Sequence, residues 1–229
     1  PFDDNRHGTH VSGTIGALAG NGLGTIGVSP KVSIMACKFL SKDGWGTLDA
    51  AMKSITYAVA NGAKVLNNSW GGGSFSQALL DTIKAAERSG VLFVAAAGNS
   101  GKDSDKEPMY PASYDAANII SVAATDALDQ KASFSNYGKT MVDLGAPGVA
   151  VFSTLPNNLY GTLNGTSMAT PHVAGAAALI WAYKPTLSVY DLKDLMLNTV
   201  DHVDSMKETT VSGGRLNVYN AMAFSLLSF

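Results

Sequence analysis

Three short segments of the sequence carry polar side chains that could perform chemistry together. The first is His7–Thr14, in which an imidazole precedes a run of small residues. The second, Ala95–Gly101, is an apolar stretch that runs into a tight turn and presents the amide of Asn99. The third is Asn164–His172, where the hydroxyl of Ser167 stands at the predicted start of a helix. A base, an amide donor and a hydroxyl nucleophile are the groups that acyl transfer requires.

Each segment also has an ordinary structural interpretation. A histidine near a helix start is more often structural than catalytic, Gly-Asn-Ser-Gly is a common turn composition, and a serine at a helix entry is often an N-cap. The occurrence of all three segments in one chain favours a site. We expect His10 to pack inside and His172 to be structural, since it lies five residues after Ser167 and too far round the helix. We also expect Pro171 to be tolerated in the first helical turn.

The chain between these segments alternates apolar runs with helical periodicity. The predicted strands are Val32–Phe39, Lys64–Ser69, Val91–Ala97 and Ile119–Ala124, and Val151–Asn164 suits a hairpin. The predicted helices are Leu48–Val59, Gln77–Ser89, Ser167–Tyr183 and about Val189–Thr199. Alternating helices and wholly apolar strands are typical of a parallel sheet covered on both faces, in one α/β domain. Such sheets gather functional groups at the carboxyl ends of their strands.

Composition excludes several classes of protein. The chain has 229 residues, of which 15% are charged, and its formal net charge is −2, so nucleic acid is not expected as a partner. The longest apolar stretch, Val173–Tyr183, is too short to span a membrane. The single cysteine, Cys37, excludes a disulfide within the chain and is predicted to be a buried, inert thiol.

The three motifs resemble the signature blocks of the subtilisin-like serine proteases. They read His-Gly-Thr-His-Val-Ser-Gly-Thr, Ala-Ala-Gly-Asn and Gly-Thr-Ser-Met-Ala-Thr-Pro-His. The resemblance covers essentially the whole chain and implies a three-layer α/β/α fold with a mainly parallel central sheet. It also implies a serine endopeptidase in which His7 is the general base and Ser167 the nucleophile that forms an acyl-enzyme. Asn99 and the backbone N–H of Ser167 would then stabilise the oxyanion.

The resemblance further implies where a polypeptide substrate binds. Two edges would sandwich an extended substrate by strand addition, one formed by Ser69, Trp70 and Gly71 and the other by Gly44 and Gly46. Trp45 and Trp70 could equally be ordinary core aromatics. Gly98 would border the primary specificity pocket, and Met109 stands where many relatives have glycine, which would make that pocket shallower. The charged loop of Asp103, Asp105 and Glu107 either biases the site toward basic substrates or is simply a solvated loop.

One feature of the family is not matched in this sequence. The family's catalytic Asp comes from an Asp-Ser/Thr-Gly block on a strand before the histidine. We therefore expect residues 1–229 to be a peptidase domain that lacks the strand or strands with this Asp, and we expect Asp3 and Asp4 not to replace it. The chain by itself would then be impaired. A pseudoprotease that acts as a peptide-binding module is the alternative.

The resemblance also suggests properties beyond the site itself. Catalysis needs no cofactor, and a structural calcium ion is possible at the loop that contains Asn21, which is a tentative ligand. An inhibitory prosegment is a possible partner, secretion follows from the family alone, and monomer is the default oligomeric state.

Three other patterns are set aside. Gly22–Gly27 matches G-x-G-x-x-G but follows a helix rather than a strand, so dinucleotide binding is rejected. His7 and His10 lack the intervening Glu and the third ligand of a zinc site. An α/β-hydrolase esterase would need a histidine after Ser167, for which His202 is the plausible candidate, and Ala169 stands where that motif has glycine.

Overall fold

The computed structural model describes residues 2–227, and side chains through residue 224. The helices are α1 (His7–Gly16), α2 (Leu48–Ala60), α3 (Gln77–Arg88), α4 (Thr166–Tyr183), α5 (Val189–Asn198) and α6 (Val218–Leu227). The strands are β1 (Val65–Asn68), β2 (Leu92–Ala96), β3 (Ile119–Thr125), β4 (Leu144–Pro147), β5 (Val151–Leu155), β6 (Leu159–Leu163), β7 (Asp201–His202) and β8 (Gly214–Arg215).

Within the described residues, six strands form the central sheet, in the order β1-β2-β3-β4-β8-β7. All neighbouring pairs from β1 to β8 are parallel, and only the short edge strand β7 runs antiparallel to β8. Strands β5 and β6 form a separate antiparallel hairpin. Its turn contains Asn157 and Asn158, which both have positive φ, at 62° and 58°, a conformation that asparagine tolerates better than most residues. The mainly parallel α/β sheet predicted from the sequence is confirmed.

Helices cover the sheet on both faces because its strands are apolar on both sides. Along β2, Leu92 and Val94 belong to one core, which α4 and α5 complete. Phe93 and Ala95 alternate with them and belong to a second core, which α2 and α3 complete. The strand is therefore fully buried, and the three-layer arrangement follows from the period of two along it.

The segment Val32–Phe39 differs from the prediction. It forms no strand, and Ile34 and Met35 are 44% and 40% exposed. An apolar run becomes a strand only where its backbone can pair with another. Among residues 2–227, a cleft of about 2200 Å³ separates this segment from β1, so the pairing is not made. Cys37 lies in the same segment and is half-buried rather than buried, and partial burial raises the pKa of its thiol.

The prediction for Pro171 also needs correction. Helix α4 begins at Thr166, so Pro171 lies in the second turn, inside the helix. A proline at this depth has no N–H to give to the carbonyl of Ser167, four residues earlier. The hydroxyl of Ser69, which lies outside the helix, donates a hydrogen bond to that carbonyl instead.

Candidate active site

Two of the predicted site residues follow neighbouring strands of the sheet. Ser69 comes directly after β1, and Asn99 follows β2 by three residues. Because β1 and β2 are parallel and paired, their carboxyl ends meet at the same edge of the sheet. Ser167 is the second residue of α4 and reaches the same edge. The fold thus assembles three residues that lie far apart in the sequence.

The side chain of Asn99 has one fixed orientation. Its Oδ1 accepts hydrogen bonds from the backbone N–H of Thr166, at 2.8 Å, and from the Thr166 hydroxyl, at 3.0 Å. The same hydroxyl accepts from the N–H of Gly98 at 3.2 Å, and Thr166 is fully buried. Since the oxygen of the amide is engaged on one side, its NH₂ group remains available to a ligand.

Two N–H donors border the same small space beside Gly165. A Cβ atom built on Gly165 would lie 3.5 Å from Asn99 Nδ2 and 3.6 Å from the backbone N of Ser167. Gly165 has φ 146°, a backbone conformation that favours glycine. The two donors converge at a helix N-terminus, which suits a developing negative charge.

The hydroxyl of Ser167 is bonded to the neighbouring sheet edge. Its Oγ donates to the carbonyl oxygen of Ser69 at 3.1 Å, and Ser69 Oγ donates to the carbonyl oxygen of Ser167 at 2.8 Å. The two serines are therefore joined by reciprocal hydrogen bonds between residues 98 positions apart.

The other side of the site is helix α1, which begins at His7. Its N-cap residue, Arg6, makes no side-chain cap hydrogen bond, and the carboxylate of Asp3 caps the helix instead. The Asp3 carboxylate accepts from the backbone N–H groups of Asn5, Arg6 and Thr9 and from the Thr9 hydroxyl. Burial alone raises the pKa of Asp3, but these hydrogen bonds, led by that of Thr9, lower it to about 2. Asp3 is thus a charged helix cap.

The imidazole of His7 is half-buried and lines the cleft. Burial lowers the pKa of His7, the nearby His10 lowers it further, and Asp3 acts in the opposite direction. The net effect is a lowered pKa, so the His7 ring stays neutral down to a lower pH than an ordinary histidine ring does. Within residues 2–227, the His7 ring makes no hydrogen bond, to Ser167 or to a carboxylate.

His10 fixes α1 to the hairpin of β5 and β6, as its predicted inward position implies. Its Nε2 lies 2.9 Å from the carbonyl oxygen of Val151 and 3.1 Å from that of Gly161. Ser153 Oγ donates to the His10 carbonyl at 2.7 Å. Gly13 lets the two elements approach, because a Cβ there would lie 2.1 Å from Thr154 Oγ1. His10 is fully buried and structural.

His7, Asn99 and Ser167 all line the same cleft, of about 2200 Å³. Besides these three, its walls include every residue that we predicted to bind substrate: Gly44, Gly46, Ser69, Trp70, Gly71 and Gly98. The arrangement presents a hydroxyl, a neutral imidazole and two convergent N–H donors to one space, which is the equipment of acyl transfer.

Comparison with known proteins agrees with this geometry. Residues 2–218 match the model of the subtilase family. The chain belongs to that family. Subtilisin DY of Bacillus licheniformis is 47% identical over 202 residues, which cover 88% of this chain and 72% of that protein. Thermitase of Thermoactinomyces vulgaris is 42% identical over 224 residues, 98% of this chain and 77% of that protein. Subtilisin BL of Lederbergia lenta is 46% identical over 203 residues, covering 89% and 73%.

Membership of the subtilase family confirms the resemblance drawn from the motifs, and with it the class of serine protease. The esterase alternative is wrong. His202 lies exposed in β7, at the opposite edge of the sheet from β1 and its following residue Ser69. His172 is bound within its own helix, where its Nδ1 lies 2.9 Å from the carbonyl oxygen of Met168.

The two predicted substrate edges of this subtilase differ in character. Trp45, between Gly44 and Gly46, is 80% exposed and is no core aromatic. Trp70 packs edge-to-face on Phe39 with ring centroids 5.2 Å apart, and its Nε1 donates to Asn68 Oδ1. Trp70 is therefore part of the wall of the cleft, whereas Trp45 projects from it.

Met109 lies between the two glycine segments of the sheet edge. Its Cε is 3.2 Å from a Cβ built on Gly71, and its Cγ is 3.2 Å from one built on Gly98. The backbone of Met109 is fixed, because its N–H donates to Ser113 Oγ and its carbonyl accepts from the Ser113 N–H. The thioether thus fills space between the two segments.

The loop around Asn21 supplies few ligands for calcium. Asn21 Oδ1 already accepts from the N–H of Leu23 at 3.0 Å, and residues 17–26 contain no carboxylate. Side chains able to hold a metal do not cluster in threes anywhere in the described part of the chain. The side chains of this loop alone supply too few oxygen ligands for a calcium ion, so calcium here would depend on other oxygen atoms and stays a prediction. Among residues 2–227 no helix is long and apolar enough to cross a membrane.

Two residues that the sequence did not single out organise the site. Thr166 orients Asn99, and its position between Gly165 and Ser167 in a quoted motif was a usable signal. The buried Asn136 holds the turn after β2 by accepting from Ser100 and Lys102 and donating to the Ala97 carbonyl. Nothing in the local sequence around Asn136 indicates that role.

Proposed function

We propose that this subtilase is a serine endopeptidase that hydrolyses peptide bonds through an acyl-enzyme on Ser167. The observation that carries the proposal is the convergence of the Asn99 amide and the Ser167 N–H beside Gly165. Such donors stabilise charge that develops on a carbonyl oxygen, and the neutral His7 suits the role of general base.

The proposed reaction proceeds in two halves. His7 takes the proton of Ser167 Oγ as the oxygen attacks the scissile carbonyl carbon, and the oxyanion receives hydrogen bonds from Asn99 Nδ2 and the Ser167 N–H. The protonated imidazole gives its proton to the leaving amine, and the C–N bond breaks. Water, deprotonated by His7, then attacks the acyl-enzyme and releases the carboxylic acid and free Ser167.

We further propose that the chain of residues 1–229 is slow by itself. An imidazole base needs a carboxylate that orients it and stabilises its charged form. Asp3 is occupied as the cap of α1, and Asp4 pairs with Lys38 instead. A peptide-binding module without turnover is the alternative function, and the same cleft would serve it.

The substrate we propose is an extended polypeptide. Its backbone would pair with Ser69–Gly71 on one side and with the Gly44–Gly46 loop on the other, by strand addition. Met109 narrows the space between Gly71 and Gly98, which favours a small side chain before the scissile bond. We also propose, from family membership alone, an inhibitory prosegment as a partner and secretion, with a monomer as the default oligomeric state.

A fluorophosphonate probe tests the proposal, because it phosphonylates an activated serine hydroxyl and loses fluoride. Intact mass would be measured on this chain and on a chimera that carries the Asp-bearing block of Subtilisin DY before residue 1. We expect slow labelling of the chain and fast labelling of the chimera, both abolished by Ser167→Ala. If both proteins are folded and neither is labelled, the peptidase proposal is wrong and the binding module is favoured.

A further inference from the structure

The carbonyl group of Ser167 has lost its normal helical partner. In an α-helix each C=O accepts a hydrogen bond from the N–H four residues later. Four residues after Ser167 stands Pro171, which has no N–H to give. The donor comes instead from outside the helix, because Ser69 Oγ lies 2.8 Å from the Ser167 carbonyl oxygen and donates to it.

Ser69 is well placed to hold that carbonyl. It follows β1, is 8% exposed, and its hydroxyl also accepts a hydrogen bond from Asn67 Nδ2 at 3.0 Å. Its own carbonyl accepts the hydroxyl of Ser167 at 3.1 Å. The hydroxyl and the carbonyl of Ser69 are thus both bonded to the residue that would attack the substrate.

We propose that Ser69 is a positioning residue for the nucleophile, and that Pro171 leaves the Ser167 carbonyl open so that Ser69 can bind it. Through this pair, the backbone of Ser167 is tied to the sheet as well as to its own helix. The inference deepens the proposed function and depends on it for the role of Ser167.

The physical reason lies in the position of Ser167 within α4. First-turn residues of a helix lack intrahelical partners for their N–H groups, and here the carbonyl of Ser167 lacks one too. The preceding residue, Thr166, is fastened to Asn99 by two hydrogen bonds. The hydrogen bond from Ser69 attaches the next residue, Ser167, to the sheet as well. The Ser167 N–H is thereby fixed relative to Asn99 Nδ2.

The first test removes only the donor. Ser69→Ala keeps the Ser69 carbonyl but loses the hydroxyl, so the rate of phosphonylation should fall about tenfold, the effect of one ordinary hydrogen bond. On peptide substrates of the Asp-bearing chimera, kcat should fall while KM changes little. The matched control is Ser121→Ala, since the buried hydroxyl of Ser121 has no hydrogen-bond partner among the residues that the structure describes. That control should label at the rate of the unchanged chain.

The second test restores a donor in a different place. Pro171→Ala supplies an N–H that can bond the Ser167 carbonyl within the helix, which makes the Ser69 hydroxyl redundant. The loss caused by Ser69→Ala should therefore shrink from about tenfold to less than threefold in the Pro171→Ala background. The urea midpoint of unfolding provides a readout that needs no activity, and its decrease in Ser69→Ala should likewise shrink in that background.

The outcomes separate this inference from the proposed function. Loss of Ser167-dependent labelling in every variant, the chimera included, contradicts the proposed function, and the urea cycle then decides the inference about Ser69. If Ser167 labels but Ser69→Ala has no more effect than Ser121→Ala, Ser69 does not position the nucleophile. If Ser69→Ala lowers the labelling rate and the urea midpoint equally with and without Pro171→Ala, the role assigned to Pro171 is contradicted.

Discussion

The two sides of the cleft are held in place by different means. On the sheet side, Ser69 and Ser167 are joined by two hydrogen bonds, and Asn99 is bonded to Thr166, the residue before Ser167. The segments that carry these residues begin or end buried strands and helices. On the other side, residues 2–47 contain a single helix, α1, which is hydrogen-bonded to the β5–β6 hairpin and packs through Val11 on Met168 of α4. His7 therefore depends on a cap, on the hairpin and on the packing of α1 against α4, whereas Ser69, Asn99 and Ser167 are held by hydrogen bonds at the edge of the sheet.

Two apolar runs of similar length show the same contrast. Residues 91–97 are wholly buried and contain the strand β2, whereas residues 32–39 contain no strand and are largely exposed. Both runs are rich in apolar residues, although the second includes Ser33 and Lys38, and their neighbours also differ. The first run has β1 and β3 on its two sides, while the second faces a cleft. Apolar sequence supplies the driving force for burial, and a free strand edge supplies the pairing.

The largest effect should distinguish these two runs. Phe93→Ala removes a fully buried ring between the sheet and its helices, and we expect it to lower the free energy of unfolding by about 3–5 kcal/mol. Met35→Ala, at a side chain that is 40% exposed, should cost within about 0.5 kcal/mol. Urea unfolding followed by circular dichroism measures both. A comparable loss for Met35→Ala would mean that residues 32–39 are covered in solution.

The next effect concerns substrate selectivity on the two sides of the cleft. Met109→Gly clears the space between Gly71 and Gly98, so kcat/KM for peptides with an aromatic residue before the scissile bond should rise about 10- to 200-fold. Peptides with alanine there should change little. The matched change on the other side is Trp45→Ala, which should raise KM for all peptides without altering this preference. An unchanged preference in Met109→Gly would remove Met109 from the pocket.

A smaller effect is expected from the cap of α1. Asp3→Ala removes four hydrogen bonds at the helix start and should cost about 1 kcal/mol of stability. The pKa of Asp3 is lowered to about 2, so this contribution is present above the unfolded pKa of 3.8 and is lost as the pH falls through about 2. Thermal unfolding of both proteins between pH 7 and pH 3 would show whether their difference shrinks in acid. A difference independent of pH would contradict a charged cap.

The smallest effect concerns the pH dependence of labelling. Because burial and His10 lower the pKa of His7, the ring stays neutral below the ordinary value of 6.5, and the acid limb of phosphonylation should lie below that pH. Asp3 opposes this shift, so Asp3→Ala should move the limb further toward acid. Rates from pH 4.5 to 8 measure both proteins. An acid limb at or above pH 6.5 would show that His7 is not the base in the environment described.

Much of the fold could be predicted because its signals are local. The periodicity of Leu48–Val59 predicted α2, and the left-handed Asn157 and Asn158 closed the hairpin where their positions suggested. The strand predicted at Val32–Phe39 was wrong because strand formation depends on a pairing partner, which no local pattern reveals. The start of α4 was placed one residue late, and this hid the depth of Pro171 in the helix.

The sequence by itself determined the family, the kinds of side chain in the site and the order of helices and strands, because motif identity and periodicity are written along the chain. Only the tertiary structure decided the orientation of Asn99, the bond from Ser69 to Ser167 and the place of Met109. Each of these joins residues tens of positions apart. Such contacts follow from strands that pair in parallel and a helix that crosses them, and no local stretch of sequence contains that information.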